Sequence, residues 1–138
     1  MKISAKTDYA CRAILELALH WPQPKPVQIG VLSKRQKIPL KFLTQIMLGL
    51  KHLGYVESTR GKEGGYLLVR APKEIKLSDL IGYFEDIEWE KTGGRQHNTM
   101  EDIWKEARQG IFEVLDKYNY EMIVRRQRKS ENTVIFEI

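Results

Sequence analysis

The amino-acid sequence predicts a mainly α-helical protein with one small β-hairpin and a long helix towards its carboxyl end. Apolar side chains recur at helical spacing over residues 40–53, and a basic, glycine-rich segment follows at residues 60–65, between two short runs suited to strands. A shorter predicted helix precedes residue 40 and is joined to it by a short turn. This order predicts a winged helix-turn-helix, and a heptad-like pattern from residue 104 onwards predicts the long helix after it.

The size and charge of the chain limit its organisation. Its 138 residues suffice for one small domain with one additional element. Residues 1–76 hold 14 lysines and arginines against 5 acidic residues, whereas residues 77–138 hold 9 against 13. A positive amino-terminal half fits a surface that sits on phosphates, although basic side chains also simply solvate helix surfaces. The distribution therefore favours a nucleic-acid partner without establishing one.

The sequence gives no indication of secretion or of membrane insertion. It has no amino-terminal signal pattern and no apolar run approaching the roughly 18 residues that span a membrane. We therefore expect a soluble, cytoplasmic protein with no membrane partner. The single cysteine, Cys11, excludes an internal disulfide and any metal site built from several cysteines of one chain.

No residue pattern predicts catalysis. His20, His52 and His97 are far apart, and no nucleophile stands beside a base. An acidic cluster could bind a cation or could be a solvated loop, and its members are Glu85, Asp86, Glu88 and Glu90. We favour the solvated loop, and so predict no catalytic site, no metal site, no cofactor and no enzyme activity.

The first two predicted helices lie on either side of a proline-rich connector, and the second of them is short. Residues 4–20 repeat apolar side chains at helical spacing, with Ser4 as the expected N-cap and Asp8 in the first turns. Three prolines between residues 22 and 26 end this helix. The second predicted helix covers residues 27–36. Its expected buried side consists of Val27, Val31 and Leu32.

The third predicted helix, residues 40–53, is the candidate recognition helix. Lys41, Thr44 and Gln45 stand at its amino-terminal end, which a helix-turn-helix presents to base edges, and Lys51 lies near its other end. Glutamine pairs with adenine, threonine contacts a thymine methyl, and lysine reaches guanine or phosphate. An ordinary solvated helix face is the alternative. The expected apolar face consists of Phe42, Leu43, Ile46, Met47, Leu50 and Leu53.

The predicted hairpin has strands at residues 55–59 and 66–69. At its tip, Arg60 could enter a minor groove, whose negative potential attracts arginine. The tip glycines are also what a tight hairpin turn requires. The predicted DNA-binding residues are Lys41, Thr44, Gln45, Lys51, Arg60, Gly61, Lys62, Gly64 and Gly65.

The carboxyl-terminal part begins with a short predicted helix at residues 77–84 and an irregular segment at residues 86–98. A long helix follows, from about residue 100 to about residue 126, and residues 133–138 read as a terminal strand. A lone helix cannot bury its apolar stripe, so it packs either on the amino-terminal domain or on the same helix of a second chain. The expected dimerisation residues are Trp104, Ala107, Ile111, Val114, Leu115, Tyr118 and Met122.

Short motifs within residues 1–85 identify a family resemblance. They are Met1-Lys2-Ile3-Ser4, Asp8-Tyr9-Ala10, Phe42-Leu43, Gln45-Ile46, Gly54-Tyr55-Val56, Arg60-Gly61, Gly64-Gly65-Tyr66-Leu67-Leu68, Ile75 with Leu77, Asp79-Leu80-Ile81, and Glu85. With these motifs the chain resembles the Rrf-two family of bacterial winged-helix repressors. The resemblance implies base contacts by Lys41, Thr44, Gln45 and Arg60, with Thr44 where a glutamate is common. It also implies that the long helix is a dimerisation helix.

The resemblance also defines a difference in sensing. Members of this family that bind an iron–sulfur cluster carry three cysteines between the short helix and the dimerisation helix, whereas residues 86–98 contain none. Asp8 matches an acidic residue that serves as a fourth ligand in some members, but here it has no cysteines to join. The chain therefore resembles the cluster-free branch, where the signal comes from a small molecule, a partner protein or a thiol such as that of Cys11.

These observations together predict a homodimeric transcriptional regulator, acting as a repressor on a palindromic operator in double-stranded DNA. The predicted regions are a DNA-binding domain at 1–85, a connecting loop at 86–98, a dimerisation helix at 99–129 and a terminal strand or tail at 130–138. The alternative is a winged-helix module that binds proteins instead of DNA. Such a scaffold or antirepressor would use the acidic loop and the terminal strand for its contacts.

Overall fold

The computed structural model describes residues 2–22, 25–89 and 98–137. Within these ranges it contains helices and one antiparallel hairpin, so the predicted mainly α-helical fold with a small wing is confirmed. Most of the predicted irregular segment, together with His97, lies outside the described residues. The elements are α1 (Ala5–Leu19), α2 (Ile29–Gln36), α3 (Leu40–His52), β1 (Val56–Thr59), β2 (Gly65–Leu68), a 3₁₀ turn (Pro72–Glu74), α4 (Leu77–Phe84), α5 (Thr99–Asp116) and α6 (Tyr120–Glu137).

Helix α1 is the centre of the fold, because α2, α3, α4, α6 and β2 all pack against it. Its buried face includes Ala10, Ala13 and Ala18, whose small side chains let neighbouring elements approach closely. Larger buried side chains from the surrounding elements complete a single core, and they include Leu32, Ile38, Leu43, Ile46, Met47, Leu50, Ile75, Leu80 and Tyr120.

Ser4 caps α1, as the sequence predicts. Its Oγ accepts a hydrogen bond from the Thr7 backbone N–H at 3.2 Å, and its own backbone N–H donates to Glu85 Oε1 at 2.7 Å. Hydrogen bonds from the Thr7 hydroxyl and from Ser4 hold the pKa of the Glu85 carboxyl below its ordinary value. Because Glu85 directly follows α4, these bonds fasten the start of α1 to the end of α4.

The Glu85 contact predicts a pH dependence of stability. Since the folded protein lowers the pKa of Glu85, the carboxylate stabilises the fold above its unfolded-state pKa of about 4.5. This contribution is lost as the pH falls through the folded-state value. In urea unfolding, Glu85→Gln should be less stable than the wild type at pH 7, and the difference should shrink below pH 4. Glu88→Gln, at an exposed carboxylate nearby, is the control and should show no such pH-dependent difference.

A buried carboxylate fastens α2 to α1. Glu16 is 4% exposed, and its two oxygens accept hydrogen bonds from Arg35 Nη1 at 3.0 Å and from Gln36 Nε2 at 3.1 Å. Arg12 of α1 donates to the backbone oxygen of Gln36 at 2.6 Å. These bonds fix α2, the first helix of the helix-turn-helix, against the central helix.

Replacing this carboxylate should cost measurable stability. Glu16→Gln leaves one oxygen to face two donors and removes the charge, so the free energy of unfolding should fall by about 1–2 kcal/mol. Urea unfolding at one fixed protein concentration measures the loss. Glu74→Gln, at an exposed position, serves as the matched control and should change stability by less than about 0.5 kcal/mol. Equal stabilities of the two variants would contradict a structural role for Glu16.

Helix α2 begins later than predicted, because Val27 is part of the wing. Val27 and Tyr66 exchange two backbone hydrogen bonds, each 2.8 Å long, as an isolated antiparallel bridge beside β2. Gly65 makes this bridge possible. Its φ is +154°, and a Cβ added at this position would collide with the backbone of Val27. The hairpin is therefore held on both edges of β2, by β1 and by the segment that enters α2.

Two side chains predicted to be buried lie at the surface instead. Val31 of α2 is 37% exposed and Phe42 of α3 is 43% exposed. The Phe42 ring lies 6.3 Å from the Tyr9 ring, measured between centroids, so it rests on the edge of the core and not inside it. The helical spacing of apolar residues predicts that both are buried. The apolar stripe of each helix is, however, wider than the part of the helix that packs against the core.

The single long helix predicted for residues 99–129 is wrong, because the chain turns at residues 117–119 between α5 and α6. Asn119 Oδ1 accepts a hydrogen bond from the Met122 backbone N–H at 3.0 Å and so caps α6. Tyr120 then enters the core, where its hydroxyl donates to the backbone oxygen of Cys11 at 2.9 Å. These tertiary contacts break the helix within the apolar stripe.

The predicted terminal strand is also wrong. Helix α6 continues to Glu137, and Thr133 Oγ1 donates to the Lys129 backbone oxygen at 3.0 Å within that helix. A strand needs a partner for its backbone hydrogen bonds, and β1 and β2 are the strands of the one sheet in the described ranges. With no strand to pair with, the β-branched residues near the carboxyl end extend the helix instead.

Candidate nucleic-acid interface

A tight turn sets α3 against α2. Lys37 adopts a left-handed conformation with a φ of +53°. Ser33 Oγ donates to the Ile38 backbone oxygen at 2.6 Å, and the Ile38 N–H donates to the Ser33 backbone oxygen at 3.0 Å. The Ile38 side chain is 1% exposed. The two helices of the helix-turn-helix are therefore fixed by both hydrogen bonding and packing.

Helix α3 has a buried face and an exposed polar face. Lys41, Thr44 and Gln45 are all exposed, and they follow one another at the spacing that places them on one side of the helix. The Thr44 hydroxyl donates to the Leu40 backbone oxygen at 3.1 Å, and Lys41 Nζ lies 5.0 Å from the centroid of the Phe42 ring. The opposite face packs into the core through Leu43, Ile46, Met47 and Leu50.

Sequence reasoning missed Leu48, which extends this exposed face. It is 63% exposed and stands three and four residues after Gln45 and Thr44. Its spacing from these two residues places it on the same side of α3 and could have identified it. Its apolar character instead favours a buried position. An exposed leucine on a recognition helix can contact a thymine methyl.

Glycines shape the tip of the wing. The Gly64 N–H donates to the Gly61 backbone oxygen at 3.0 Å, and Gly61 has a φ of +109°. A Cβ at Gly64 would collide with the backbone oxygen of Thr59. The resulting turn leaves the side chains of Arg60 and Lys62 exposed, whereas Gly64 itself is buried.

Two side-chain hydrogen bonds join the wing to the helix-turn-helix, in addition to the backbone bridge between Val27 and Tyr66. Gln28, just before α2, donates through Nε2 to the Lys62 backbone oxygen at 3.0 Å. Lys51, in the last turn of α3, donates through Nζ to Ser58 Oγ of β1 at 3.0 Å. The predicted DNA-binding residue Lys51 therefore lies at the far end of α3 from Lys41, where it contacts the hairpin. Sequence reasoning did not single out Gln28.

The predicted dimerisation residues divide between different elements. Trp104 and Val114 of α5 are 51% and 54% exposed, and no residue of α5 is buried. Ala107 is exposed on the same helix, while Ile111 and Leu115 are half-buried. The remaining two do not lie on α5, because the turn holds Tyr118 and α6 holds Met122.

Helix α5 is attached to the rest of the protein along one side. The Trp89 and Phe112 rings lie 5.5 Å apart between centroids, and Ser78 of α4 donates to Asp116 Oδ1 at 2.9 Å. The side turned away from these contacts carries Met100 and Ile103, which are 50% and 45% exposed. An exposed apolar face of this kind is typical of a protein interface.

The family is decided by comparison with known proteins. The sequence profile of the Rrf2 (Rrf-two) family, described as "Iron-dependent Transcriptional regulator", matches residues 3–126. The chain belongs to the Rrf2 family. The resemblance stated from its motifs is therefore confirmed, and the protein is a DNA-binding transcriptional regulator and not an enzyme.

Individual Rrf2-family proteins match over most of their length. The transcriptional regulator IscR of Photorhabdus laumondii is 32% identical over 134 residues, covering 92% of this chain and 81% of that protein. The solved structure of IscR from T. potens has a TM-score of 0.80 at 28% identity, covering 94% of this chain and 90% of the other. CymR, the global cysteine regulator of B. subtilis, has a TM-score of 0.78 at 26% identity, covering 91% and 98%.

The description of the Rrf2 family refers to iron, so the side chains that could bind iron in this chain matter. Burial raises the pKa of the Cys11 thiol to about 11, and the thiol lies beside the Tyr120 hydroxyl. A cluster held by three cysteines of one chain cannot form, because Cys11 is the single cysteine of the sequence. Among residues 2–22, 25–89 and 98–137, no group of three or more His, Cys, Asp or Glu side chains could hold a metal ion. These donors do not fit an iron–sulfur cluster.

The described helices also bear on membrane association. None of the helices within the described ranges has both the length and the apolar character needed to cross a membrane.

Proposed function

We propose that this Rrf2-family regulator is a homodimeric repressor that binds a palindromic operator through two winged helix-turn-helix units. The observation that carries the proposal is the pairing of an exposed polar face on α3 with a basic wing tip that is fixed to the same unit. The turn at Lys37 and the bridge between Val27 and Tyr66 hold both elements in place before DNA binds. A preorganised reader of this kind loses little conformational freedom on binding.

Each element has a chemically distinct task in the proposal. Lys41, Thr44 and Gln45 reach base edges in the major groove, where each base pair presents its own pattern of donors and acceptors. Arg60 enters the adjacent minor groove, and the exposed Gly61 beside it allows the backbone to approach the DNA. Lys51 and Lys62 contact phosphates, and so contribute affinity without sequence preference.

Dimerisation is supported by the exposed apolar face of α5. Met100, Ile103, Trp104 and Val114 would bury a continuous stripe against the same stripe of a second chain. A two-fold dimer presents its two recognition helices to two half-sites of a palindrome. Occupation of such an operator excludes other proteins from it, which is the basis of the proposed repression in the cytoplasm of a bacterium. Sensing through an iron–sulfur cluster is not part of the proposal, because the donor groups do not fit one.

Selection from random-sequence duplexes tests the proposed reading of DNA. The wild-type protein should enrich one motif with dyad symmetry, and repeating the selection with Gln45→Ala should relax the preference at a symmetric pair of positions within it. Enrichment of no motif would contradict sequence-specific binding and would favour the protein-binding alternative. Enrichment of a single half-site without symmetry would contradict the two-fold arrangement. Transcription in vitro from a promoter containing the motif should fall when the protein is added, whereas a rise would contradict repression.

A further inference from the structure

A cleft outside the DNA-binding surface lies between the end of α1, the 3₁₀ turn and α6. It has a volume of about 410 Å³, within the range of small-molecule sites, and we name it the Trp21 cleft after the tryptophan on its rim. Its apolar wall includes Ala18 and Val124, which belong to the core. Trp21 is 38% exposed, so part of its indole is available for stacking.

The charges of the Trp21 cleft are mostly positive. Its lining includes Lys73, Arg125 and Arg128 against one acidic residue, Glu121. Arg125 pairs with Glu121 one turn earlier on α6, at 2.9 Å. In the described part of the chain no carboxylate pairs with Lys73 or Arg128, and Arg128 donates through Nη2 to the Leu19 backbone oxygen at 3.3 Å. A guanidinium has five N–H donors, so most of those of Arg128 remain for a ligand.

We propose that the Trp21 cleft binds a small organic anion, in which a carboxylate or phosphate is joined to a planar apolar group. Lys73 and Arg128 would bind the anionic group through charge-assisted hydrogen bonds, and the planar group would stack on Trp21 above the apolar wall. An uncharged ligand would leave the two cations unpaired.

The position of the cleft gives this ligand a regulatory role, which rests on the proposed function. Lys73 belongs to the 3₁₀ turn that closely follows β2, the inner strand of the wing. Arg128 belongs to α6, which is joined to α1 by the Tyr120–Cys11 hydrogen bond. A ligand held by both residues would couple α6 to the wing, and so change the affinity of the wing-bearing unit for its operator.

Phenyl phosphate is a suitable first probe, with benzyl alcohol as a neutral match. In an NMR titration of the full chain, phenyl phosphate should shift the Trp21 indole resonance with saturation at a Kd of roughly 1–10 mM, and benzyl alcohol should not. The double variant Lys73→Gln, Arg128→Gln should weaken this binding by about tenfold or more. Lys129→Gln removes a neighbouring charge outside the cleft and should leave binding unchanged. Absence of saturation, equal binding of benzyl alcohol, or unchanged binding by the double variant would each overturn the proposed site.

Operator affinity tests the regulatory role separately. At a saturating concentration of phenyl phosphate and at constant ionic strength, the Kd of the wild type for its selected operator should change by about threefold or more, while that of the double variant should not. An unchanged Kd in a protein whose cleft is saturated would overturn the regulatory role. If the protein without ligand binds no operator, the proposed function is contradicted. The NMR titration does not depend on operator binding and still tests whether phenyl phosphate binds in the Trp21 cleft.

Discussion

Trp104→Asp combined with Val114→Asp is expected to weaken operator binding by roughly 100-fold or more while leaving each chain folded. The physical reason is avidity, because joining two DNA-binding units converts the second binding event into an intramolecular one worth about 10²–10⁴ in affinity. Both side chains are more than half exposed in the single chain, so the substitutions remove no core packing. Buried carboxylates facing each other across a two-fold interface would oppose association.

Sedimentation and gel-shift measurements check this expectation. The wild type should sediment as a dimer and the double variant as a monomer, with the same helical circular dichroism. Gln109→Asp, on another face of α5, adds a carboxylate without touching the apolar stripe and should leave the dimer intact. A double variant that remains dimeric and keeps wild-type operator affinity would contradict the assignment of this face.

Arg60→Ala is expected to weaken binding to the selected operator by about 1–3 kcal/mol, or roughly 5- to 150-fold, with a smaller effect on unrelated duplexes. The wing holds this exposed arginine at a turn fixed by the Gly64–Gly61 hydrogen bond and by the bridge from Val27 to Tyr66. The loss should therefore concentrate on base pairs at the edge of each half-site, where the wing would meet the minor groove.

Lys62→Ala is the matched control for Arg60→Ala, because it removes a neighbouring positive charge from the same tip. If Lys62 contacts only phosphate, its loss should weaken all duplexes alike and reduce the slope of log affinity against log salt by about 1. Fluorescence anisotropy at several salt concentrations measures both effects. Operator affinity that is unaffected by Arg60→Ala would remove the wing from the proposed reading of DNA.

The winged helix-turn-helix was predictable because local signals and tertiary packing agree there. Helical periodicity placed Leu43, Ile46, Met47 and Leu50 in the core, and Ser4 caps α1 as its position suggests. The polar residues predicted on α3 are exposed, and the predicted tip glycines form a tight turn. These features depend on residues close together in sequence, so the spacing of residue types is enough to predict them.

The carboxyl-terminal helices were not predictable in the same way. Heptad spacing through residue 118 favoured one helix, but the turn depends on Tyr120 reaching Cys11, a contact between residues far apart in sequence. The β-branched residues near the carboxyl end favoured a strand by propensity, although no partner strand exists in the described sheet. The cap at Asn119 was a local signal that could have located the break.

Long-range contacts also decide details of the DNA-binding unit. Val27 belongs to the wing and not to α2 because Gly65 leaves room for its backbone, which neither segment reveals alone. Lys51 looks like a free cation in the sequence, but its Nζ contacts Ser58 of the hairpin. The predicted dimerisation residues on α5 are a different case, because their assignment depends on a second chain and not on contacts within one chain.

The stoichiometry of the protein–DNA complex distinguishes a dimeric regulator from a monomeric one. Sedimentation of the wild-type protein with one duplex that carries the selected motif should give a complex of two chains per duplex. Binding to this duplex should be at least 100-fold tighter than to a duplex in which one half-site is scrambled. A complex of one chain per duplex, or equal affinity for the intact and scrambled duplexes, would contradict a dimeric regulator that reads a palindrome.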